Sequence, residues 1–278
     1  MRKARVIALV LASALMVAAV EARAATPTTE DGLPLLDERT AYLIGAQQFK
    51  IGVLALEYGI TKRVSIGSDP PAWAARAFLP ILVPNLHLKT QFYDSERLTM
   101  MVNVAGYGAN LAKDNLPATW LLSFPLSLFA SVRVADRVWI HGDGTYIFAR
   151  ATGSGNVDVD RADVAGGAAA RAAQLGTIVE WRLTRIFSLT ATGRYQVYTG
   201  PLTFSASGMT DPYTSVDLAG QLSARVEHPW QALAGVAVLW KHFHLVAGGG
   251  YGYYFIPGMN IAVPKKSFIP DLSLAVIL

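Results

Sequence analysis

The stretch from Ile186 to Thr199 alternates without a break. Phe187, Leu189, Ala191, Gly193, Tyr195 and Val197 share one parity; Ser188, Thr190, Thr192, Arg194, Gln196 and Tyr198 share the other. Successive side chains of a strand point to opposite faces, so this segment predicts a strand with one apolar and one polar face. It is longer than the usual strand of about five or six residues. Such length and contrast suit a wall with lipid on one side and a polar interior on the other.

The same period recurs along the chain. Leu86, Leu88, Thr90 and Phe92 oppose Asn85, His87, Lys89, Gln91 and Tyr93. Trp120, Leu122, Phe124, Leu126, Leu128 and Val132 oppose Ser123, Ser127, Ser131 and Arg133. Val138, Ile140, Tyr146 and Phe148 oppose His141, Asp143 and Thr145. The segments 48–59 and 231–240 alternate poorly, and a glycine bulge near Gly52 or Gly235 would account for that.

The chain opens like an exported protein. Arg2, Lys3 and Arg5 form a basic head, Val6 to Val20 an uncharged apolar core, and Ala22-Arg23-Ala24 a small-x-small cleavage pattern. The apolar core falls short of the roughly 20 residues of a spanning helix. Residues 1–24 are therefore expected to be a signal peptide, residues 25–40 a periplasmic N-terminal segment, and 41–278 the barrel.

Removing the signal changes the charge. It carries four of the 24 basic residues and one of the 20 acidic ones, which leaves 20 against 19. That balance gives no support to a nucleic-acid partner. There is no cysteine, so neither disulfides nor thiolate chemistry is available. Hydrophobic residues make up 52%, yet no apolar run after the signal is long enough for a helical span. In lipid only helices and closed barrels satisfy every backbone polar group, so the fold expected is an all-β, antiparallel up-and-down transmembrane barrel.

Turn spacing supports this. Short polar turns ending in arginine precede the alternations at Thr61-Lys62-Arg63, Ser95-Glu96-Arg97, Ala135-Asp136-Arg137 and Leu183-Thr184-Arg185. Between them lie longer connections at 69–84, 111–117, 152–166, 203–230 and 257–266. Short periplasmic turns alternating with long outer loops are typical of bacterial barrels. The count is twelve strands, starting with 41–48 and 50–59, and ten or fourteen stay open at that first hairpin. Aromatics gather near strand ends: Trp181, Phe187, Trp240 and Phe243 by the turns; Trp120, Tyr146, Phe148, Tyr251, Tyr253, Phe255 and Phe268 toward the loops. Two interfacial girdles are expected from them.

The phrase Glu57-Tyr58-Gly59-Ile60-Thr61-Lys62-Arg63-Val64-Ser65-Ile66-Gly67, the apolar loop Gly258 to Lys266 and the closing Pro270-Asp271-Leu272 resemble Gram-negative outer-membrane β-barrels of a porin-like, uncharacterised class. The resemblance spans most of Ala41 to Leu278. It implies a bacterial outer-membrane location, with the membrane lipids and the barrel-assembly machinery as partners. Leu278 departs from the terminal aromatic common in such chains.

By parity, the lumen is lined by His87, Lys89, Gln91, Asn103, Arg133, His141, Asp143, Glu180, Arg182, Arg194, Gln196 and Asp271, joined by His244 and Ser273. Both signs are present, with no ring of one sign to select an ion. The apolar connection holding Trp73, Arg76 and Phe78 begins like a helix, with proline in its first turn. It is expected either to constrict the barrel mouth or to lie on the bilayer. His141 and Asp143 share a face, but two side chains do not make a metal site. The histidine-x-serine pattern of outer-membrane phospholipases is absent. The expectation is therefore no cofactor, no metal and no catalytic residue. A passive channel or small-solute transporter leads, with a non-conducting structural or surface-interaction barrel as the alternative. A lipid hydrolase comes third.

Overall fold

The computed structural model describes residues 35, 39–71, 83–110, 118–157, 162–211, 214–222, 228–240, 242–256, 260 and 262–278. These form β1 (Phe49–Gly52), β2 (Leu56–Thr61), β3 (Val64–Ser68), β4 (Asn85–Asp94), β5 (Leu98–Asn110), β6 (Ala118–Ala135) and β7 (Val138–Val157). There follow β8 (Ala162–Arg182), β9 (Phe187–Thr199), β10 (Leu202–Asp211), β11 (Thr214–Leu222), β12 (Trp230–Trp240), β13 (Phe243–Phe255) and β14 (Ala262–Ile277). Antiparallel pairing runs from β1 to β9, crosses from β9 to β12, and closes where Lys50 of β1 faces Ile277 of β14. The result is a closed twelve-stranded barrel with two extra strands.

The extra pair grows out of the wall. β8 pairs with β9 along Ala172–Arg182 and with β10 along Asp163–Ala169. Thus β9 and β10 follow one another along one edge of β8, and β11 adds outside β10. The connections at 152–166 and 203–230 had looked like loops. Strand occupies much of both: β7 and β8 run through 152–157 and 162–166, and β10 and β11 through 203–211 and 214–222.

The first hairpin differs from expectation. Residues 41–48 form no strand, and 50–59 divides into β1 and β2 around a turn at Val53–Ala55. That turn explains the poor alternation there, and the register shift falls between Gly59 and Thr61 rather than near Gly52. No bulge occurs at Gly235 either. β12 pairs with both neighbours without a shift. Its alternation is poor because its inner face is apolar too: Leu233, Ala237 and Leu239 are all buried.

The outer face is lipid-like. Leu126, Leu128, Phe124, Ile140, Val179, Leu189 and Val197 are exposed side by side with other large apolar residues. An apolar belt of this extent is far beyond what a water-soluble monomer tolerates. Trp181, Phe187, Trp240 and Phe243 are exposed near the short turns, and Trp120, Tyr146, Tyr251 and Phe268 toward the other end. Tyr253 and Phe255 are not part of a girdle. A register shift separates them. Phe255 turns beneath the Arg194 guanidinium at 5.4 Å, and Tyr253 is buried beside Lys266.

The wall is lopsided. β1, β2 and β3 have 4, 6 and 5 residues, whereas β7 and β8 have 20 and 21. A tilted strand needs about 9–11 residues to cross a bilayer, so the wall is low at β1–β3.

The barrel interior as candidate functional site

Residues just before β1 lie inside the barrel. Leu35 packs with Ile178, Ala237, Leu239 and Val246 of β8, β12 and β13. Ala41 and Leu43 pack with Met101 and Phe129 of β5 and β6. One short segment therefore touches two different arcs of the wall, which requires it to cross the interior. Thr40 Oγ1 donates to the Leu35 carbonyl at 2.7 Å. Gln47 N–H donates to the Gly59 carbonyl at 2.7 Å, and Gly59 N–H to the Gln48 carbonyl at 3.0 Å, tying the segment to β2. The described part of the stretch expected in the periplasm thus sits within the barrel.

A polar hub meets this segment. His141 Nδ1 lies 2.8 Å from Ser131 Oγ and its Nε2 lies 3.3 Å from Glu180 Oε2. Glu180 also accepts from Arg182 Nε at 2.9 Å and from Ser188 Oγ at 2.8 Å. Both His141 and Glu180 are fully buried. A buried carboxylate persists only when its lone pairs are filled, and three donors from β7, β8 and β9 fill them. Arg182 also stacks over Trp139 at 3.8 Å. The segment joins the hub through Ala41 N–H, which donates to Ser131 Oγ at 2.9 Å, and through Tyr42, whose ring stands edge-on to His141 at 5.9 Å.

Two further clusters line β2–β5. Lys89 Nζ donates to Glu57 at 3.0 Å, and Ser65 Oγ donates to the other oxygen of the same carboxylate. Asp69 lies 3.4 Å from His87 and accepts from the Tyr107 hydroxyl. At the end opposite the short turns, Asn260 reaches inward. Its Oδ1 accepts from Arg194 at 2.9 Å and its carbonyl from Gln174 at 2.5 Å.

The remaining residues singled out from sequence are scattered around these groups. Gln91 is buried on β4. Arg133 sits near the turn end, 5.3 Å above Trp139. Asp143 is buried against Gly176 of β8, where a methyl group would collide with its carboxylate. Gln196 bonds Gln174 at 3.3 Å and Thr199 at 2.5 Å. Asn103 and Asp271 border a cavity of about 170 Å³ that also meets Arg39, Asp69, His87, Tyr107 and Arg194. His141 and Asp143 do not act together, since both imidazole nitrogens are engaged elsewhere. Trp73, Arg76 and Phe78 lie outside the described residues.

Sequence reasoning missed Glu57, Asp69, Tyr107, Ala41 and Asn260. Glu57 had a signal: a lone carboxylate in an apolar stretch implies a buried cation across the wall. Asn260 had none, because its contacts span the barrel.

No family model matches the chain, and no curated protein matches it in sequence. Among solved structures it is similar to the translocator domain of the autotransporter NalP from Neisseria meningitidis, at TM-score 0.44 and 13% identity, covering 83% of this chain and 72% of that one. It is also similar to CdiB from Acinetobacter baumannii, at TM-score 0.28 and 12% identity, covering 83% and 59%. At these scores and identities neither likeness carries an argument about this chain.

Proposed function

We propose that the chain is an exported outer-membrane barrel that passes a small solute when residues 39–48 leave the lumen. The crossing of the interior by this segment, from Leu35 against Ala237 to Ala41 against Met101, carries the reading. A wall with inward polar residues of both signs suits small polar solutes rather than one ion. With the segment seated, the half of the lumen near the short turns is filled, so the resting state is closed. In this orientation the short turns face the periplasm, and β10 and β11 stand on the outer side. The lipids of the belt and the assembly machinery are its partners.

Planar-bilayer recording of the refolded protein tests this. The intact chain is expected to be mostly silent. A variant lacking residues 35–45 is expected to show discrete conductance steps. A folded but silent deletion variant would favour the non-conducting structural barrel instead. The buried network around Glu180 is the observation on that side, since it occupies the lumen and braces β7, β8 and β9.

A further inference from the structure

The outer face of the wall carries two cations where the apolar belt ends. Arg150 stands 12 positions beyond Val138, the first residue of β7, and Arg171 stands 11 positions before Arg182, the last of β8. A tilted strand crosses the hydrocarbon core in about 9–11 residues, so both lie at its far edge, on the side of the long connections. Arg150 shares its parity with the exposed Ile140 and Tyr146, and Arg171 shares its parity with the exposed Leu175 and Val179. Both arginines are themselves exposed, and they point out of the barrel. Phe148 faces Arg171 and Arg150 faces Ala169 across β7 and β8. The two arginines are therefore diagonal neighbours, about 7–8 Å apart and within reach of one group.

A third polar group joins them. A register shift beside Ala173 sets Tyr198 of β9 opposite that alanine, and Tyr198 is exposed. A methyl group on Gly200 would lie 2.9 Å from the Tyr198 hydroxyl and 3.3 Å from Arg171 Cβ, so hydroxyl and arginine flank one spot. Neither guanidinium has a hydrogen bond, ion pair or ring contact with a described residue. The acidic residues of β6–β9 whose side chains are described, Asp143 and Glu180, are buried on the opposite face. Two permanent charges thus stand on an otherwise uncharged surface, at the level where lipid head groups lie. Two guanidinium forks suit a phosphomonoester, which carries about −1.5 to −2 charge and three acceptor oxygens. On the belt side of Arg171, Ala173 sits in register between Tyr146 and Tyr198. The small side chain between two rings leaves a dip in the wall that leads from the arginines into the belt, which suits an acyl chain attached to the phosphate.

We propose that Arg150 and Arg171 bind the head of a phosphomonoester lipid at the outer edge of the belt. The two guanidinium groups donate to the phosphate oxygens, and the Tyr198 hydroxyl donates beside Arg171. An acyl chain runs along Ala173 between the two tyrosines. This rests on the reading that the belt faces lipid.

The test is native mass spectrometry of the refolded protein in detergent micelles, titrated with phosphatidic acid, phosphatidylglycerol or phosphatidylcholine. Phosphatidic acid is expected to stay bound in preference to the other two. Arg150→Gln and Arg171→Gln should each weaken its retention about fivefold, the effect of one arginine near an anionic lipid surface. Neither side chain holds a described neighbour, so both variants should fold like the parent. Equal retention of phosphatidic acid by the parent and by the double variant would overturn the site. Phosphatidylglycerol held as tightly as phosphatidic acid would overturn the phosphomonoester. Inorganic phosphate that displaced the lipid at equal concentration would overturn the part given to the acyl chain. Insertion into phosphatidylcholine vesicles separates the two readings: a chain that inserts but shows no lipid preference loses only this site, and a chain that does not insert loses the lipid-facing belt as well.

Discussion

The Ala41 backbone N–H donates to Ser131 Oγ at 2.9 Å, and that hydroxyl is also 2.8 Å from His141 Nδ1. A single serine thus links the internal segment to the network of the wall. Ser131→Ala leaves the buried Ala41 N–H without an acceptor, at a cost of about 1–3 kcal/mol. The urea midpoint of folding in detergent should fall accordingly. Open events in planar bilayers should also become more frequent. An unchanged midpoint would show that the contact contributes nothing.

Glu57 and Lys89 are both buried and 3.0 Å apart. Glu57→Leu removes a buried carboxylate that both Lys89 and Ser65 donate to, and is expected to destabilise by about 3–5 kcal/mol. Replacing both with leucine should recover part of that loss, because the buried cation is then removed together with the carboxylate. A double variant as unstable as the single one would count against the pair as the cause. Urea titrations of the two variants decide it.

Leu126 and Ser127 are neighbours with opposite environments: Leu126 is 50% exposed and Ser127 is 2% exposed. Arginine at Leu126 would face acyl chains, at a cost of roughly 2–4 kcal/mol near the midplane. Folding yield of Leu126→Arg into vesicles should drop, while Ser127→Ala should change it little. Equal yields for Leu126→Arg and the parent would remove the case for a lipid-facing belt.

Gly59 lets the internal segment approach β2. A methyl group there would collide with the Gly45 carbonyl oxygen. Gly59→Ala should therefore loosen residues 45–48 without breaking the barrel. Limited proteolysis is the readout: faster cleavage before Phe49 with an intact remainder is expected. Protection equal to the parent would mean that the approach can adjust.

Much of the wall was legible in the sequence. β9 follows its fourteen-residue alternation residue by residue, with Ser188, Thr190, Thr192, Arg194 and Gln196 buried and their neighbours exposed. Lipid outside and polar groups inside impose a strict period of two, and the sequence must obey it wherever the wall crosses the membrane. β12 was harder to read, because Leu35 covers Ala237 and Leu239 from within and makes both faces apolar. Residues 41–48 looked like a strand because Leu43 and Ile44 are apolar. Burial in the interior demands apolar residues just as a wall does, and periodicity over so few positions cannot separate the two.

The sequence alone therefore determined that this chain closes an antiparallel barrel, and which face of most strands turns inward. Local parity and turn spacing carry that information, and neither depends on distant residues. Only the tertiary structure decided that Ala41 meets Ser131, that Glu180 gathers three donors, and that Lys50 of β1 meets Ile277 of β14. Those relations bring together residues far apart in the chain, from strands whose neighbours are fixed only when the barrel closes.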